Sequence, residues 1–210
     1  MKLPSFGKPK VDDSVAQAER VARLDAEVVS LRAEVQDLRE LLGHLDSERN
    51  LLLMASEQLK PGMSAQALAE TMHALVFRPF DLASFYVAQV DLEKDLLTFP
   101  LYHEGGKARH LGPYVLSERP GLTAKALLAK KPLYTRTLEE AQTQGAIFTP
   151  AEKGSGLIPS SWYGVPLGDL DRPLGLVSYQ SFQPDAFSED RRRTMNALAV
   201  LLGAALQGYR

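Results

Sequence analysis

Apolar residues recur through residues 21–52 with alternating spacings of three and four, the spacing of a heptad repeat. So narrow an apolar stripe needs a partner helix to bury it. Valine at the early a positions with leucine at d favours two parallel strands. The sequence therefore predicts a homodimer formed through a parallel coiled coil. The predicted interface residues are Val21, Leu24, Val28, Leu31, Val35, Leu38, Leu42 and Leu45.

The charged residues beside this stripe agree with a parallel register. A residue at a g position faces the next e position of the partner helix. The three pairs formed in this way are opposite in sign: Arg20 with Asp25, Glu27 with Arg32, and Glu34 with Arg39. Because an exposed ion pair contributes at most ~1 kcal/mol, these pairs set register and orientation rather than stability. The alternative is a solvated helix that packs on its own domain.

The chain is expected to have three parts: a flexible tail at 1–13, a coiled-coil dimerisation helix at 14–50 and a compact domain at 51–210. Lysines, prolines and a glycine make the tail a poor helix former. Arg49 falls at an a position, and the apolar residues that follow it are spread round the helix. This change indicates that the helix leaves the coiled coil and enters the domain, before Pro61 and Gly62 end it.

Composition excludes several classes of function. The 210 residues carry a net charge of −2 and no cysteine. A slightly acidic chain is not drawn to nucleic acid or to an anionic membrane, and the lack of cysteine removes disulfides, thiolate metal sites and cysteine nucleophiles. No apolar run approaches the ~18 residues that span a bilayer. We expect a soluble, cytoplasmic protein with no nucleic-acid or membrane partner.

Helical and strand patterns alternate after Pro61. Strands are predicted at 82–91 and 96–104, and the short link between them makes the two strands antiparallel. Pro100 has no N–H for a strand ladder, so the second of these strands is predicted at an edge. The remaining predictions are helices at 64–76, 122–129 and 138–149, the last as helix or loop, short strands at 114–116 and 132–135, and a loop at 150–160.

The final segment predicts a hairpin and a helix. Strand-like runs at 161–167 and 173–182 are joined by a turn-rich link. Ser188 is a suitable cap for a helix that extends to about residue 207. Because residues 197–206 are apolar on nearly every side, that helix should be covered by the sheet and by another helix. The best candidates for this helix are residues 51–59 or the dimer partner.

Three runs of this segment resemble the carboxyl-terminal half of a GAF domain. They are Trp-Tyr-Gly-Val-Pro-Leu at 162–167, Pro-Leu-Gly-Leu-Val-Ser-Tyr at 173–179, and Phe-Ser-Glu-Asp at 187–190 followed by Leu198-Ala199. The resemblance extends over residues 51–210. It implies an α+β fold with an antiparallel sheet of core order 2-1-5-4-3 and helices on both faces, here preceded by a long coiled-coil helix. First and last helices of the family often form a dimer interface.

The resemblance does not imply a catalytic subclass. Cyclic-nucleotide-binding members carry an Asn-Lys pair and then Phe-x-x-x-Asp-Glu, whereas Phe187 here is followed by Ser-Glu-Asp-Arg with no such pair upstream. Bilin-tethering members need a cysteine, and the free methionine sulfoxide reductases of this family need several. His103, Glu104 and His110 match no metal-ligand spacing. We therefore expect no enzyme activity, no cofactor and no metal.

The resemblance implies a ligand pocket between the sheet and the irregular segments at 103–123 and 143–162. Aromatic and polar residues of these segments and of the adjoining strands could line it. The candidates are Tyr102, His103, Arg109, His110, Tyr114, Phe148, Trp162, Tyr179 and Gln180. The alternative is that the aromatic residues are ordinary core and the polar groups face water.

Two functions remain open from the sequence. The first is a non-catalytic, homodimeric regulatory or sensory GAF-like module, which binds a small molecule and relays its presence through the helices. The second is a ligand-free structural or adaptor protein, which acts through coiled-coil dimerisation and binding of a protein partner. Fold alone does not decide between them.

Overall fold

The computed structural model describes residues 11–118, 120–169 and 171–208, so residues 1–10 of the tail predicted at 1–13 lie outside the described residues. Its elements are α1 (Val11–Gln58), α2 (Ala65–Val76), β1 (Ser84–Asp91), β2 (Leu96–Glu104), β3 (Lys107–Arg109), β4 (Tyr114–Val115), α3 (Leu122–Leu128), β5 (Leu133–Thr135), α4 (Leu138–Thr143), α5 (Pro150–Ser155), β6 (Ser161–Gly168), β7 (Pro173–Ser181) and α6 (Glu189–Gln207). The chain divides into two compact units, Met1–Arg49 and Asn50–Arg210.

The first unit is helical from Val11 onward, including residues 11–13, which were expected in the tail. The eight predicted interface residues of α1 are between 44% and 60% exposed in the single chain. The described residues thus leave the whole apolar stripe open to solvent. No helix in the described part of the chain is long and apolar enough to cross a lipid bilayer.

The second unit is built on one antiparallel sheet, in which the described residues form seven strands. The order is β3-β2-β1-β7-β6-β5, with β4 also pairing with β2. Counted over the five strands β1, β2, β5, β6 and β7, this is the predicted core order 2-1-5-4-3. The link between β6 and β7 is the predicted hairpin, and the two strands pair along their full length.

Pro100 lies at the outer side of the five-strand core, as predicted, although short strands pair with the two ends of β2. β3 pairs with residues 102–104 and β4 with residues 96–97, so that among the described residues the stretch around Pro100 has no partner on this side. Opposite the proline the register with β1 shifts: Val87 faces Leu101, whereas Gln89 faces Thr98. β2 thus carries an extra residue in a bulge, and a bulge is a position where proline costs no ladder hydrogen bond.

Strand alternation divides the interior into two cores, one on each face of the sheet. Phe85 and Val87 of β1 point toward α2 and α6, where the larger core also contains Leu51 and Ala55 from the end of α1. Tyr86 belongs to the smaller core, which α3 covers. Helices therefore lie on both faces of the sheet, as predicted.

The neighbours of α6 differ in part from the expectation. Its buried face packs against β6 and beside α2, a helix that the sequence argument did not consider for this role. Leu51 and Leu59 do contribute to the same core. Val200, however, is 70% exposed, so one side of α6 stays uncovered in the single chain although its sequence is apolar there.

Two elements were not predicted, and each has a local cause. Residues 150–155 were expected in a loop but form α5, because Thr149 and Glu152 make a reciprocal capping box around a proline at the first helical position. Residues 107–109 were expected to be irregular but form β3. Gly105 and Gly106, both at positive φ, supply the tight turn that returns the chain onto β2.

Candidate ligand cavity

A cavity of about 160 Å³ lies on the α3 face of the sheet, between the strands and the segment that includes α3, α4 and α5. Sheet residues form its floor, and the helices and the loop after α4 form its roof and mouth. The lining residues are Tyr86, Phe99, Tyr102, Leu111, Tyr114, Gly121, Leu122, Thr123, Ala141, Ala146, Ile147, Phe148, Thr149, Glu152, Pro159, Trp162 and Gln180.

One wall of the cavity is aromatic and continuous. The rings of Tyr86 and Tyr102 are stacked, with centroids 5.4 Å apart and planes 15° apart. Phe99 meets the Tyr102 ring edge-on at 6.4 Å and lies 5.6 Å from the ring of Tyr114. Offset and edge-on pairs of this kind stabilise one another beyond the area they bury, so the wall is a preorganised surface.

A hydrogen-bonded chain crosses the floor of the cavity. The indole Nε1 of Trp162 donates to the hydroxyl of Tyr86 at 3.3 Å, and that hydroxyl lies 2.7 Å from Oγ1 of Thr123. Burial raises the pKa of Tyr86, so its hydroxyl stays protonated and can take part in both bonds. The chain ties β6 to β1 and to the start of α3.

Glu152 brings a buried carboxyl to the cavity from α5, with only 3% of its surface exposed. Its Oε2 accepts from the backbone N–H of Thr149 at 2.6 Å. The Thr149 hydroxyl donates to Oε1 of Glu104, another buried acid, at 3.2 Å. Burial raises the pKa of Glu152, and the charge of Glu104 raises it further.

The indole of Trp162 lies over the backbone of Gly164 in the same strand. A Cβ at position 164 would come closer than 3.0 Å to three ring atoms of Trp162. Only glycine leaves room for the indole in this place. Gly164 thus positions the single tryptophan of the chain against the cavity.

The predicted pocket residues are divided by the structure. Five of the nine line the cavity: Tyr102, Tyr114, Phe148, Trp162 and Gln180. Tyr179 is fully buried in the core on the opposite face of the sheet. His103 also lies on that face, stacked on His73 of α2 at 3.9 Å between centroids. Arg109 and His110 are exposed and do not line the cavity.

Several lining residues were not among the sequence candidates. Tyr86 and Phe99 complete the aromatic wall, and Thr123, Thr149 and Glu152 supply polar groups. The Thr-Pro-Ala-Glu run at 149–152 carries the signal of a capping box, which would have placed Glu152 at the start of a helix. The position of Tyr86 follows from alternation along β1.

No group of three or more His, Cys, Asp or Glu side chains in the described part of the chain is placed to hold a metal ion. His103 and Glu104 are neighbours in β2 and therefore point to opposite faces of the sheet. His110 is an exposed residue beyond β3. The side chains of His103, Glu104 and His110 therefore do not converge on one point.

Comparison with known proteins shows similarity at the level of structure alone. No family model matches the chain, and no curated protein sequence matches it. Free methionine-R-sulfoxide reductase from Neisseria meningitidis, in complex with its substrate, has a TM-score of 0.62 at 18% identity, covering 78% of this chain and 90% of that one.

Two further solved structures are described by the GAF name itself, one as a domain and one as a sensor protein. The GAF domain of an Acinetobacter phosphoenolpyruvate-protein phosphotransferase has a TM-score of 0.61 at 17% identity, covering 78% of this chain and 92% of that one. A GAF sensor protein of Burkholderia vietnamiensis, described as putative, has a TM-score of 0.61 at 20% identity, covering 79% of this chain and 98% of that one. Together with the sheet order, these similarities show that the chain has a GAF-like fold.

Proposed function

We propose that the protein is a non-catalytic, homodimeric regulatory or sensory module that binds a small molecule in the cavity on the α3 face. One observation carries this proposal: a concave, partly open cavity lined by a continuous aromatic wall and a few polar groups, on the side of a GAF-like sheet that irregular segments cover. Five of the residues that the sequence nominated line this space, which supports the proposal independently.

We propose a relay through the sheet to the helices. Tyr86 lines the cavity, whereas its neighbour Phe85 points into the core that contains Leu51 and Ala55 of α1. A shift of β1 caused by a ligand would therefore change the packing in both cores. A ligand shifts such an equilibrium only by its difference in affinity for the two arrangements, typically about 1–3 kcal/mol.

Dimerisation through α1 is part of the same proposal. The exposed apolar stripe gains most if it is covered by an identical stripe, because the flanking charges are complementary in a parallel pair. The proposed parallel homodimer would bury the eight a and d residues of this stripe.

A catalytic role is the competing interpretation, since one similar structure is a reductase. The free methionine sulfoxide reductases rely on cysteines for their chemistry, and this chain has none. Substituting serine or threonine does not replace a redox thiol, because a hydroxyl does not form a disulfide. We therefore propose binding without turnover, in a protein of the cytoplasm.

The experiment that tests the proposal identifies small molecules released from purified, denatured protein by mass spectrometry. Ala146→Phe, at the cavity mouth, should abolish the release of any compound that occupies the cavity. Ala108→Phe, on the exposed strand β3, is the matched control and should retain the compound. The proposal would be contradicted if the wild type released no compound, or if the two variants released equal amounts of it.

The second candidate function, a ligand-free adaptor, is favoured by the exposed stripe of α1 if the cavity proves unoccupied. In that case the dimer surface itself would recruit a protein partner. The two candidates differ in one measurable respect: only the sensory module changes its Trp162 emission when a small molecule is added, because Trp162 lines the cavity.

A further inference from the structure

The cavity has two chemically different sides. One side is the aromatic wall formed by Tyr86, Phe99, Tyr102 and Tyr114, and the other presents the buried carboxyl of Glu152. A purely apolar ligand would make no polar contact with the carboxyl, and a purely polar ligand would make no apolar contact with the aromatic wall. The combination narrows the class of ligand that fits.

Aromatic faces carry partial negative charge and attract cations within about 6 Å of the ring centroid, most strongly where water is excluded. Tyr86, Phe99, Tyr102 and Tyr114 are close enough to one another that one ligand can contact several rings at once. An organic cation satisfies such a wall better than a neutral group of the same shape, because its alkyl carbons and its charge are both stabilised there.

The charged groups around the cavity also favour a cationic ligand. Glu152 is held in place by the backbone N–H of Thr149, and Glu104 is linked to the same threonine. Within the described part of the chain, the lining includes no lysine, arginine or histidine. Because burial and the charge of Glu104 raise the pKa of Glu152, a cation bound beside this carboxyl would stabilise its charged form.

The size of the cavity limits the ligand further. A cavity of about 150 Å³ with apolar walls holds a molecule the size of benzene. The space here is about 160 Å³. It suits a compact ammonium compound and excludes a nucleotide or a tetrapyrrole without rearrangement of the roof.

We propose that the cavity selects a small organic cation, with its alkylammonium carbons against the aromatic wall and its charge facing Glu152. This inference rests on the proposed function, since it names the ligand class of the same cavity. It also assigns the two sides of the cavity separate roles: the wall provides affinity for the carbons, and the carboxyl provides selection by charge.

Three probes of matched shape test the proposal on the full chain, with Trp162 emission as the readout. Choline is the cation, 3,3-dimethylbutan-1-ol is its neutral carbon analogue, and 3,3-dimethylbutanoate is an anion of similar bulk. Choline should bind with a Kd at least about tenfold below that of the neutral analogue, and the anion should not bind. The cation selectivity should strengthen as the pH rises and Glu152 ionises.

Glu152→Gln separates charge from shape, because glutamine can also complete a capping box. It should raise the Kd of choline at least about tenfold and leave that of the neutral analogue unchanged. Glu140→Gln is the matched control: Glu140 accepts from the backbone N–H of Arg136 near the start of α4, and it lies outside the cavity lining. Phe99→Leu is an independent second variant that removes one ring and should also weaken choline.

The outcomes distinguish the two proposals. If the neutral analogue binds as tightly as choline, or if Glu152→Gln leaves the choline Kd unchanged, the cation inference is wrong while small-molecule binding stands. If none of the three probes binds, the cation inference is overturned. The identification of released compounds then decides separately whether the sensory function also fails.

Discussion

The imidazole rings of His73 and His103 are stacked on the α2 face of the sheet, with centroids 3.9 Å apart and planes 28° apart. His73 projects from α2 and His103 from β2, so the pair joins the helix to the sheet. Nε2 of His73 and Nδ1 of His103 are buried, and neither has a hydrogen-bond partner among the described residues. Protonation of either ring would place a cation beside the other in a partly buried setting.

This pair makes stability sensitive to acid. Burial, with a smaller contribution from His103, lowers the pKa of His73 from 6.5 to about 4. Between these values the unfolded chain binds more protons than the folded one, so the free energy of unfolding should fall as the pH is lowered from 6.5 toward 4. Urea titrations across this range measure the slope.

His73→Phe should flatten the slope, because phenylalanine packs against Phe77 and Phe85 without a titrating group. The matched control is His44→Gln, at an exposed position of α1, which should leave the slope as in the wild type. An equal slope in His73→Phe and wild type would show that other titrating groups, His103 among them, rather than His73 cause the loss of stability in acid.

Tyr86→Phe tests the hydrogen-bonded chain on the cavity floor. It removes the acceptor of the Trp162 indole and the partner of Thr123 while keeping the ring in the wall. Leaving buried polar groups unpaired should lower the free energy of unfolding by about 1–3 kcal/mol. The emission maximum of Trp162 should shift as well, because its N–H loses a partner.

Tyr179→Phe is the control for this change. Its hydroxyl lies on the other face of the sheet, where it donates to the carbonyl of Met195 at 3.4 Å. The substitution should leave the Trp162 emission unchanged whatever it does to stability. A shift of similar size in both variants would mean that the emission reports overall loosening rather than the floor of the cavity.

Much of the fold follows from the sequence, because the spacing of apolar residues and the turn and cap residues at the ends of elements are local signals. The paired strands around residues 92–95 and the final hairpin were predicted nearly to their bounds, and the sheet order came with the resemblance. The bulge at Pro100 was not predicted, since proline is compatible with an edge as well as with a bulge, and only the register between β1 and β2 reveals the bulge. Proline alone indicates only that a ladder bond is missing.

About half of the predicted pocket residues line the cavity. Adjacent residues of a strand point to opposite faces. Tyr102 and His103 therefore cannot both line one cavity, nor can Tyr179 and Gln180, and in each pair the structure places one residue in the lining. Applying this rule removes two candidates without a structure. Glu152 reaches the cavity through α5, whose start is linked to β2 by the hydrogen bond from Thr149 to Glu104, a tertiary contact that no local pattern specifies.

Gly164→Ala tests the place of the indole. The added Cβ would collide with the ring of Trp162, which must then move from the strand surface. Overpacking of this kind should lower the free energy of unfolding by about 1–3 kcal/mol and change the Trp162 emission. Gly112→Ala, where a Cβ meets no atom of the described residues within 4 Å, is the matched control and should change neither. Unchanged emission in Gly164→Ala would contradict the described position of the ring.

The last prediction concerns the proposed coiled coil. Leu31→Gln together with Leu38→Gln removes two d residues from each helix, which makes four leucines in a dimer. Each buried leucine lost should cost about 2–5 kcal/mol, more than a dimer of this size can spare. Glutamine keeps a high helix propensity, so the change acts on the interface rather than on the helix. Sedimentation equilibrium should show a dimer for the wild type and a monomer for the double variant.

Val15→Gln together with Val29→Gln provides the control for this experiment. Both valines are more than half exposed, and both lie at b positions, away from the predicted interface. This variant should remain dimeric, because it alters the same number of apolar residues without touching the stripe. If both variants stay dimeric, the GAF-like domain rather than α1 holds the subunits together. If the wild type is itself monomeric, the exposed stripe of α1 would instead bind a different protein, and the adaptor function would be the better explanation.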